Sequence, residues 1–281
     1  MRVLKVFALL MAAVLSLVGC GRKSEPQPLL EMLFLDVGQG DSTLLRTEAG
    51  DILIDAGTEK SQEELCRRLR ALGVERLALL ILTHPDEDHI GGADGVLEQF
   101  EVDEVWTNGA EESNDSYLRF LNTLQKKNVP CTVARAGSGC SFGDLHVTVL
   151  SPVNLDFEGE NDDSLVLLLR YGEFGALMMG DASQAVEPSL IETYGEAHLN
   201  VDLLGVGHHG SNSSTGADLL AVANPQYAVI SCGAGNSYGH PDGRTLARLE
   251  HAGAEVRRTD LEGEICFAVY EDGSFGFAND G

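Results

Sequence analysis

A chain of 281 residues with 43% hydrophobic and 22% charged residues has enough apolar material for a sizeable core, and no internal linker argues for two domains. Its 19 Lys and Arg stand against 44 Asp and Glu, a formal net charge of −25 at pH 7. No basic stripe is present to hold duplex nucleic acid over many phosphates, which counts against processive nucleic-acid binding but leaves open the cleavage of one phosphodiester at a metal centre.

Met1 to Cys20 carries Arg2 and Lys5, an apolar run from Val6 to Val18, and then Gly19-Cys20. The run is short for a bilayer span, and its flanks are those of a secretory signal. Leu17-Val18-Gly19-Cys20 resembles a bacterial lipobox. That implies cleavage before Cys20, lipidation of its sulfur, and an extracytoplasmic protein anchored to the bacterial cell membrane; a signal-anchor helix is the alternative. Residues 1–20 are read as the signal peptide, 21–28 as a tether containing Pro26 and Pro28, and 29–281 as one folded domain. Of the remaining cysteines, Cys131 and Cys140 are the expected pair in an oxidising compartment, because Gly137 and Gly139 between them allow a tight reversal. Cys66, Cys232 and Cys266 read as buried thiols, and no CxxC zinc spacing occurs.

Leu30 to Leu35 reads as an apolar strand running into the turn Asp36-Val37-Gly38-Gln39-Gly40-Asp41-Ser42. Ser42 to Arg46 resumes as strand, and Asp51-Ile52-Leu53-Ile54-Asp55-Ala56-Gly57 follows. A strand rather than a helix succeeds the glycines, and no Walker lysine is present, so the pattern counts against a nucleotide-phosphate loop. Glu59 to Leu72 has helical periodicity and ends at Gly73.

The buried strand Leu77–Leu82 then delivers Thr83-His84-Pro85-Asp86-Glu87-Asp88-His89-Ile90-Gly91-Gly92, which packs two imidazoles and three carboxylates into six positions. An extended loop presents His84, Asp86 and Asp88 on one side with His89 adjacent, a geometry suited to metal ions; a solvated acidic turn is the bland alternative. Helix at Gly95–Phe100, strand at Val102–Trp106, helix at Asp115–Lys127 and strand at Val147–Leu150 come next. Asn161-Asp162-Asp163-Ser164 introduces the strand Leu165–Arg170, which Glu173-Phe174-Gly175 turns back into Ala176–Met179. Gly180-Asp181-Ala182 places another carboxylate at the mouth of a buried strand. It reads as a metal ligand or as the N-cap of a helix over Val186–Tyr194.

The strand Val201–Val206 leads to Gly207-His208-His209-Gly210, where side-chain alternation predicts that only one of the adjacent histidines faces the centre. A helix at Gly216–Ala223 and a strand at Tyr227–Ser231 lead to Gly233-Ala234-Gly235-Asn236-Ser237-Tyr238-Gly239-His240-Pro241. Thr245–His251 reads as helix, and Glu255–Arg258 and Glu264–Tyr270 as strands closing a second sheet. Strand and helix alternate throughout, which predicts a layered α/β protein with sheets inside and helices outside.

The run from His84 to His89 resembles the HxHxDH signature of the metallo-β-lactamase superfamily, in the HxDxDH form of ComEC-type competence proteins. FLDVGQGDS, LIDAG, HHGSNSST and GAGNSYGHP resemble further motifs of that type, in the same order along the chain, and for the first two the resemblance implies acidic and glycine residues that support the metal loop from beneath. The resemblance covers roughly Leu30 to Val269 and implies a four-layer αβ/βα sandwich. It also implies a binuclear hydrolase in which a hydroxide between two divalent ions, zinc or manganese, attacks a phosphodiester. His84 and Asp86 would hold one ion, Asp88, His89 and His240 the other, with Asp181 bridging. Asp88, His208 and His209 are the candidates for catalytic work, His208 beside the scissile bond. NDDSLV stands where another ligand histidine is usual, so Asn161, Asp162, Asp163 and Ser164 are weaker candidates. The implied substrate is single-stranded DNA or another extracellular phosphodiester. Phosphorylcholine esters, lactones or thioesters on the same fold, and a non-catalytic lipid-anchored module, are the alternatives.

Overall fold

The computed structural model describes residues 27–155 and 161–278. The proposed signal peptide, the lipidation site Cys20 and most of the tether lie outside the described residues. The chain opens with an antiparallel meander, β1 (Leu30–Phe34), β2 (Thr43–Thr47) and β3 (Gly50–Ile54). An amphipathic helix α1 (Gln62–Ala71) then crosses over to β4 (Arg76–Leu82), which pairs parallel with β3. Two short helices, α2 (Glu87–Ile90) and α3 (Ala93–Gln99), follow, with β5 (Glu101–Val102), β6 (Val105–Thr107), α4 (Asp115–Lys127) and the edge strand β7 (Cys131–Val133). Parallel order from β3 through β4 and β6 to β7 follows from the helical crossovers between these strands.

The second half begins with three antiparallel strands, β8 (Gly139–Phe142), β9 (Leu145–Ser151) and β10 (Val166–Tyr171), and continues into β11 (Phe174–Met178). Three parallel strands complete that sheet, β12 (Leu203–Gly205), β13 (Tyr227–Ile230) and β14 (Glu255–Arg258). Helices α5 (Glu187–Leu199), α6 (Ala217–Ala223) and α7 (Gly243–Ala252) connect them. After the single turn α8 (Thr259–Glu262), the chain returns to the first sheet. There β15 (Ile265–Val269) pairs antiparallel with β1 in the register Leu30↔Val269, and β16 (Phe275–Phe277) flanks it.

Glu264–Tyr270 therefore closes the first sheet and not the second. Its apolar pattern marks a buried strand, but which edge receives such a strand depends on pairing with a segment more than 200 residues away. The expected Cys131–Cys140 disulfide is absent too: both are free thiols, on β7 of the first sheet and β8 of the second.

Three apolar layers hold the sandwich together. Met32, Ile52, Ile81, Val149, Leu167 and Phe267 lie among the residues between the sheets. Leu65, Leu69, Val96 and Phe120 close the first sheet's outer face under α1, α3 and α4, and Leu190, Leu220 and Leu249 close the second under α5, α6 and α7. β4, β11, β12 and β13 are among the strands at the centre of this arrangement, and each runs into a loop bearing one of the motifs.

Candidate metal centre

The loop leaving β4 supplies His84 and Asp86, and α2 supplies Asp88 and His89. Loops at the ends of β11, β12 and β13 bring Asp181, the His208–His209 pair and His240 to the same place. The Asp181 carboxylate is 3% exposed and sits at the convergence point. One oxygen lies 3.2 Å from His89 Nε2, and the other lies 3.6 Å from His208 Nε2, 3.8 Å from His209 Nε2 and 4.0 Å from His84 Nε2. Asp86 Oδ2 is 3.7 Å from His84 Nε2, and Asp88 Oδ2 is 3.2 Å from His209 Nε2. Close ligand groups form around His84, His89 and Asp181, and around Asp88, His89 and His209.

The imidazoles are aimed by what holds their other nitrogen. His89 Nδ1 lies 2.9 Å from Asp55 Oδ2, a carboxylate 1% exposed that also accepts from the Thr83 amide and hydroxyl, each at 2.8 Å. Because the Thr83 hydroxyl donates to Asp55, it can only accept from His84 Nδ1, 3.1 Å away. His209 Nδ1 donates to the Ser231 carbonyl at 3.0 Å. In each ring the neutral tautomer so selected carries its free lone pair on Nε2, turned to the centre. His84 Nε2, His89 Nε2, His209 Nε2 and Asp181 Oδ1 are buried without a hydrogen-bond partner. Each such orphan costs about 1–3 kcal/mol. Four of them facing one point, each imidazole able to offer a lone pair once it is neutral, fit a metal cluster.

Electrostatics agree. Burial opposes charge on His89 and His209, yet the surrounding carboxylates, Asp181 foremost, outweigh it and hold both imidazoles well above their ordinary range. Burial would also raise Asp88, but the His209 imidazole, with Nε2 3.2 Å from its carboxylate, and the charge of His89 hold it down at about 2. Asp181 is depressed against the same opposing burial, by His89 and then His209.

Both histidines of the 208–209 pair face the site, where alternation predicted one. His208 and His209 take positive φ of 49° and 52°, and in that left-handed backbone successive side chains no longer point to opposite sides. Gly207 makes the bend possible, since a Cβ there would collide with the Ser214 hydroxyl. His208 is the more accessible, with its side chain a quarter exposed, and Asn161 Nδ2 lies 3.3 Å from its Nδ1. His240 stands farther out. Its ring centroid is 5.6 Å from that of His208 and 6.4 Å from that of His209, and it belongs to none of the close ligand groups among the described residues.

Asp162 accepts from the Ser183 amide at 3.0 Å, and the buried Asp163 takes a hydrogen bond from Asn108 on its backbone carbonyl. Ser164 Oγ accepts from the Asp181 amide at 3.2 Å and lies 3.3 Å from His84 Nδ1, so it supports the cluster from behind. Two residues outside the predicted site set, Asp55 and Asp41, complete the surroundings. Asp41 Oδ1 is 3.6 Å from His209 Nδ1, and its amide donates to the Asp88 carbonyl. The signal for Asp55 was present in LIDAG, a carboxylate ending a buried strand beside a glycine, the same logic that singled out Asp181.

A family model described as the metallo-beta-lactamase superfamily matches residues 35–234. The chain belongs to the metallo-β-lactamase superfamily. The α/β sandwich implied by the sequence resemblance is the fold of this family of metal-dependent hydrolases, and the His/Asp cluster is the group of side chains in it that could hold metal. The chain is 31% identical over 253 residues to ComE operon protein 3 of Bacillus subtilis, covering 84% of this chain and 32% of that protein. Recombination protein 2 of Haemophilus influenzae is 31% identical, with 89% of this chain and 30% of that protein covered. The chain thus spans about a third of the length of these competence-type relatives. Among solved structures, CmlA, a diiron β-hydroxylase from Streptomyces venezuelae, aligns with a TM-score of 0.56 at 17% identity, over 87% of this chain and 55% of that one. A diphosphatase from the PhnP family aligns with a TM-score of 0.53 at 14% identity, over 87% and 100%. Both are likenesses of fold.

Proposed function

We propose that this superfamily member is a binuclear, metal-dependent phosphodiesterase acting on single-stranded DNA or another extracellular phosphodiester, tethered to the membrane through a lipid on Cys20. The convergence of buried, unpartnered imidazole nitrogens on the Asp181 carboxylate carries this reading. His84 and Asp86 would hold one ion; Asp88, His89 and His209 the other; Asp181 would lie between them. This departs from the sequence-based assignment by exchanging His209 for His240, because His209 Nε2 is the nitrogen 3.2 Å from Asp88. Zinc and manganese both suit the donor set, and the carboxylate of Asp86 in place of an imidazole favours the harder ion. Two such ions supply activation of water and neutralisation of the charge that builds on a phosphoryl centre.

The chain's own groups would do the rest. His208, more exposed than the ligand imidazoles and 3.6 Å from Asp181, is placed to give a proton to the leaving oxygen, and Asn161 would steady its ring. His240 stands beside it as a further donor at the substrate face. Asp55, Thr83 and the Ser231 carbonyl keep the ligand tautomers fixed.

The test is Asp181→Ala, with metal content by mass spectrometry and initial rates on bis-(p-nitrophenyl) phosphate. The wild-type chain is expected to carry two ions and turn the diester over. The variant should keep its circular dichroism spectrum, lose metal, and lose activity by at least about a hundredfold, given the effect expected of losing a central ligand. Retained turnover, or a metal-free wild type, would defeat the proposal.

A further inference from the structure

Beside the candidate ligands Asp86 and Asp88 lies a cavity of about 360 Å³ whose walls include Gln39, Lys60, Asn114 and Tyr238. Its size is at the low end of the roughly 300–1,000 Å³ common for ligand sites, enough for one monomer unit and not for a duplex. Two of its residues are out of keeping with the surface around them. Tyr238 is 70% exposed, yet its loop is pinned: Asn236 donates to the carbonyls of Gly233 and His240 and accepts from the amides of Tyr238 and His240. The phenol ring stacks on His240 with centroids 5.8 Å apart and planes at 24°. Gln39 ties the same loop to the opposite half of the molecule by accepting from the Gly233 amide at 3.0 Å. The result is a rigid, solvent-facing aromatic platform.

Lys60 is the second anomaly. In a protein of net charge −25, every other Lys and Arg among the described residues holds a hydrogen bond or an ion pair, as Arg119 does with Glu59 and Lys126 with Glu98. Lys60 has neither among the described residues, and it lines the cavity beside the cluster.

We infer that this cavity is a nucleotide subsite: Tyr238 stacks on one unpaired base of the substrate, and Lys60 binds the phosphate next to the one being cleaved. The inference rests on the phosphodiesterase reading and makes its substrate class specific. An aromatic face takes any base that is free of its partner, and a single cation contributes one phosphate contact, so the site takes single strands with little sequence preference. Duplex DNA offers no free base face and demands the basic surface that this chain lacks.

The experiment compares kcat/KM on a short single-stranded oligothymidylate with kcat/KM on the same strand made abasic beside the cleaved linkage, using the metal-loaded protein. Wild type is expected to favour the base-bearing strand by at least about fivefold, the lower end for aromatic–base stacking. Tyr238→Ala should erase that preference, and Tyr238→Phe should keep it. Lys60→Ala should flatten the dependence of log KM on log salt by about 0.7. A Tyr238→Ala protein that still discriminates between the strands, or a Lys60→Ala protein with an unchanged salt slope, would overturn the subsite alone. A wild type that hydrolyses bis-(p-nitrophenyl) phosphate or a choline phosphodiester but neither strand would also overturn the subsite and leave the phosphodiesterase standing. Hydrolysis of none of them would overturn both.

Discussion

Thr83 to Gly92 brings four candidate ligands to the centre in one continuous stretch, whereas Gly180 to His240 brings its histidines and its aspartate from the ends of three separate strands. The near arm is set by hydrogen bonds to charged and hydroxyl groups. Asp55 holds His89 and Thr83, Thr83 holds His84, and a Cβ at Gly40 would strike the Asp88 carbonyl, so the β1–β2 turn fits directly beneath the loop. The far arm is set by backbone: two consecutive left-handed histidines, a carbonyl acceptor at Ser231, and an asparagine-clamped loop. Left-handed conformations at residues other than glycine cost of order 1–3 kcal/mol each and persist where the surroundings impose them. The near arm is therefore preorganised by a buried carboxylate on the neighbouring strand, and the far arm by backbone conformation and main-chain acceptors.

The largest expected effect comes from breaking the near arm at its anchor. Asp55→Ala removes the acceptor for the Thr83 amide, the Thr83 hydroxyl and His89 Nδ1 at once. Losing such a support commonly lowers metal affinity by roughly 10–100-fold. A buried amide left without a partner adds about 1–3 kcal/mol of destabilisation. Metal titration and thermal denaturation of the variant measure both. An Asp55→Ala protein that binds metal like wild type would show that the near arm does not depend on this anchor.

The far arm is tested by a pair. His209→Ala is expected to lower the metal stoichiometry, whereas His240→Ala should leave the metal in place and act on turnover, since only His209 lies in a close ligand group. Metal content after dialysis decides between them. Loss of metal from His240→Ala and not from His209→Ala would restore the assignment made from the motifs.

The two arms also differ in how far the sequence makes them legible. The near arm could be read residue by residue, because its ligands are contiguous, follow a strongly apolar strand, and keep the spacing that an extended loop requires. Whereas the four-layer sandwich came from the family resemblance, a layered α/β protein was readable for a similar reason: alternating strand and helix patterns, each local. Three features were not. The sheet that receives Ile265–Val269 is decided by pairing with the first strand, the separation of the thiols of β7 and β8 by which sheet each edge strand joined, and the direction of His208 and His209 by a backbone conformation that residue type disfavours. Each depends on contacts far apart in the chain, and no local periodicity reports them. The support from Asp55 was legible only through the resemblance of LIDAG, because a lone carboxylate after a strand is also a common turn residue; its hydrogen bonds to Thr83 and His89 give that support its atoms.

The subtlest contrast between the arms is in their protons. In the metal-free protein His89 shares its Nδ1 proton with a carboxylate, and His209 gives its own to a neutral carbonyl, although Asp41 lies 3.6 Å away. Both imidazoles are raised, so their contribution to stability is fully present below the ordinary histidine value of about 6.5 and is lost as pH rises through the raised values. Asp88 and Asp181 are depressed, so theirs is present above the ordinary carboxylate value of about 3.9 and is lost as pH falls. Metal-free protein should accordingly melt at its highest temperature between these limits and lose stability on the alkaline side. Metal binding must displace the imidazole protons, so the gain in melting temperature on adding metal should grow as pH rises from 6 to 8. Calorimetric titrations in buffers of different ionisation enthalpy would count the released protons. A gain that does not change with pH, with no proton release, would mean that both rings are already neutral and that the carboxylates around them exert less field than their 2.9–3.8 Å separations imply.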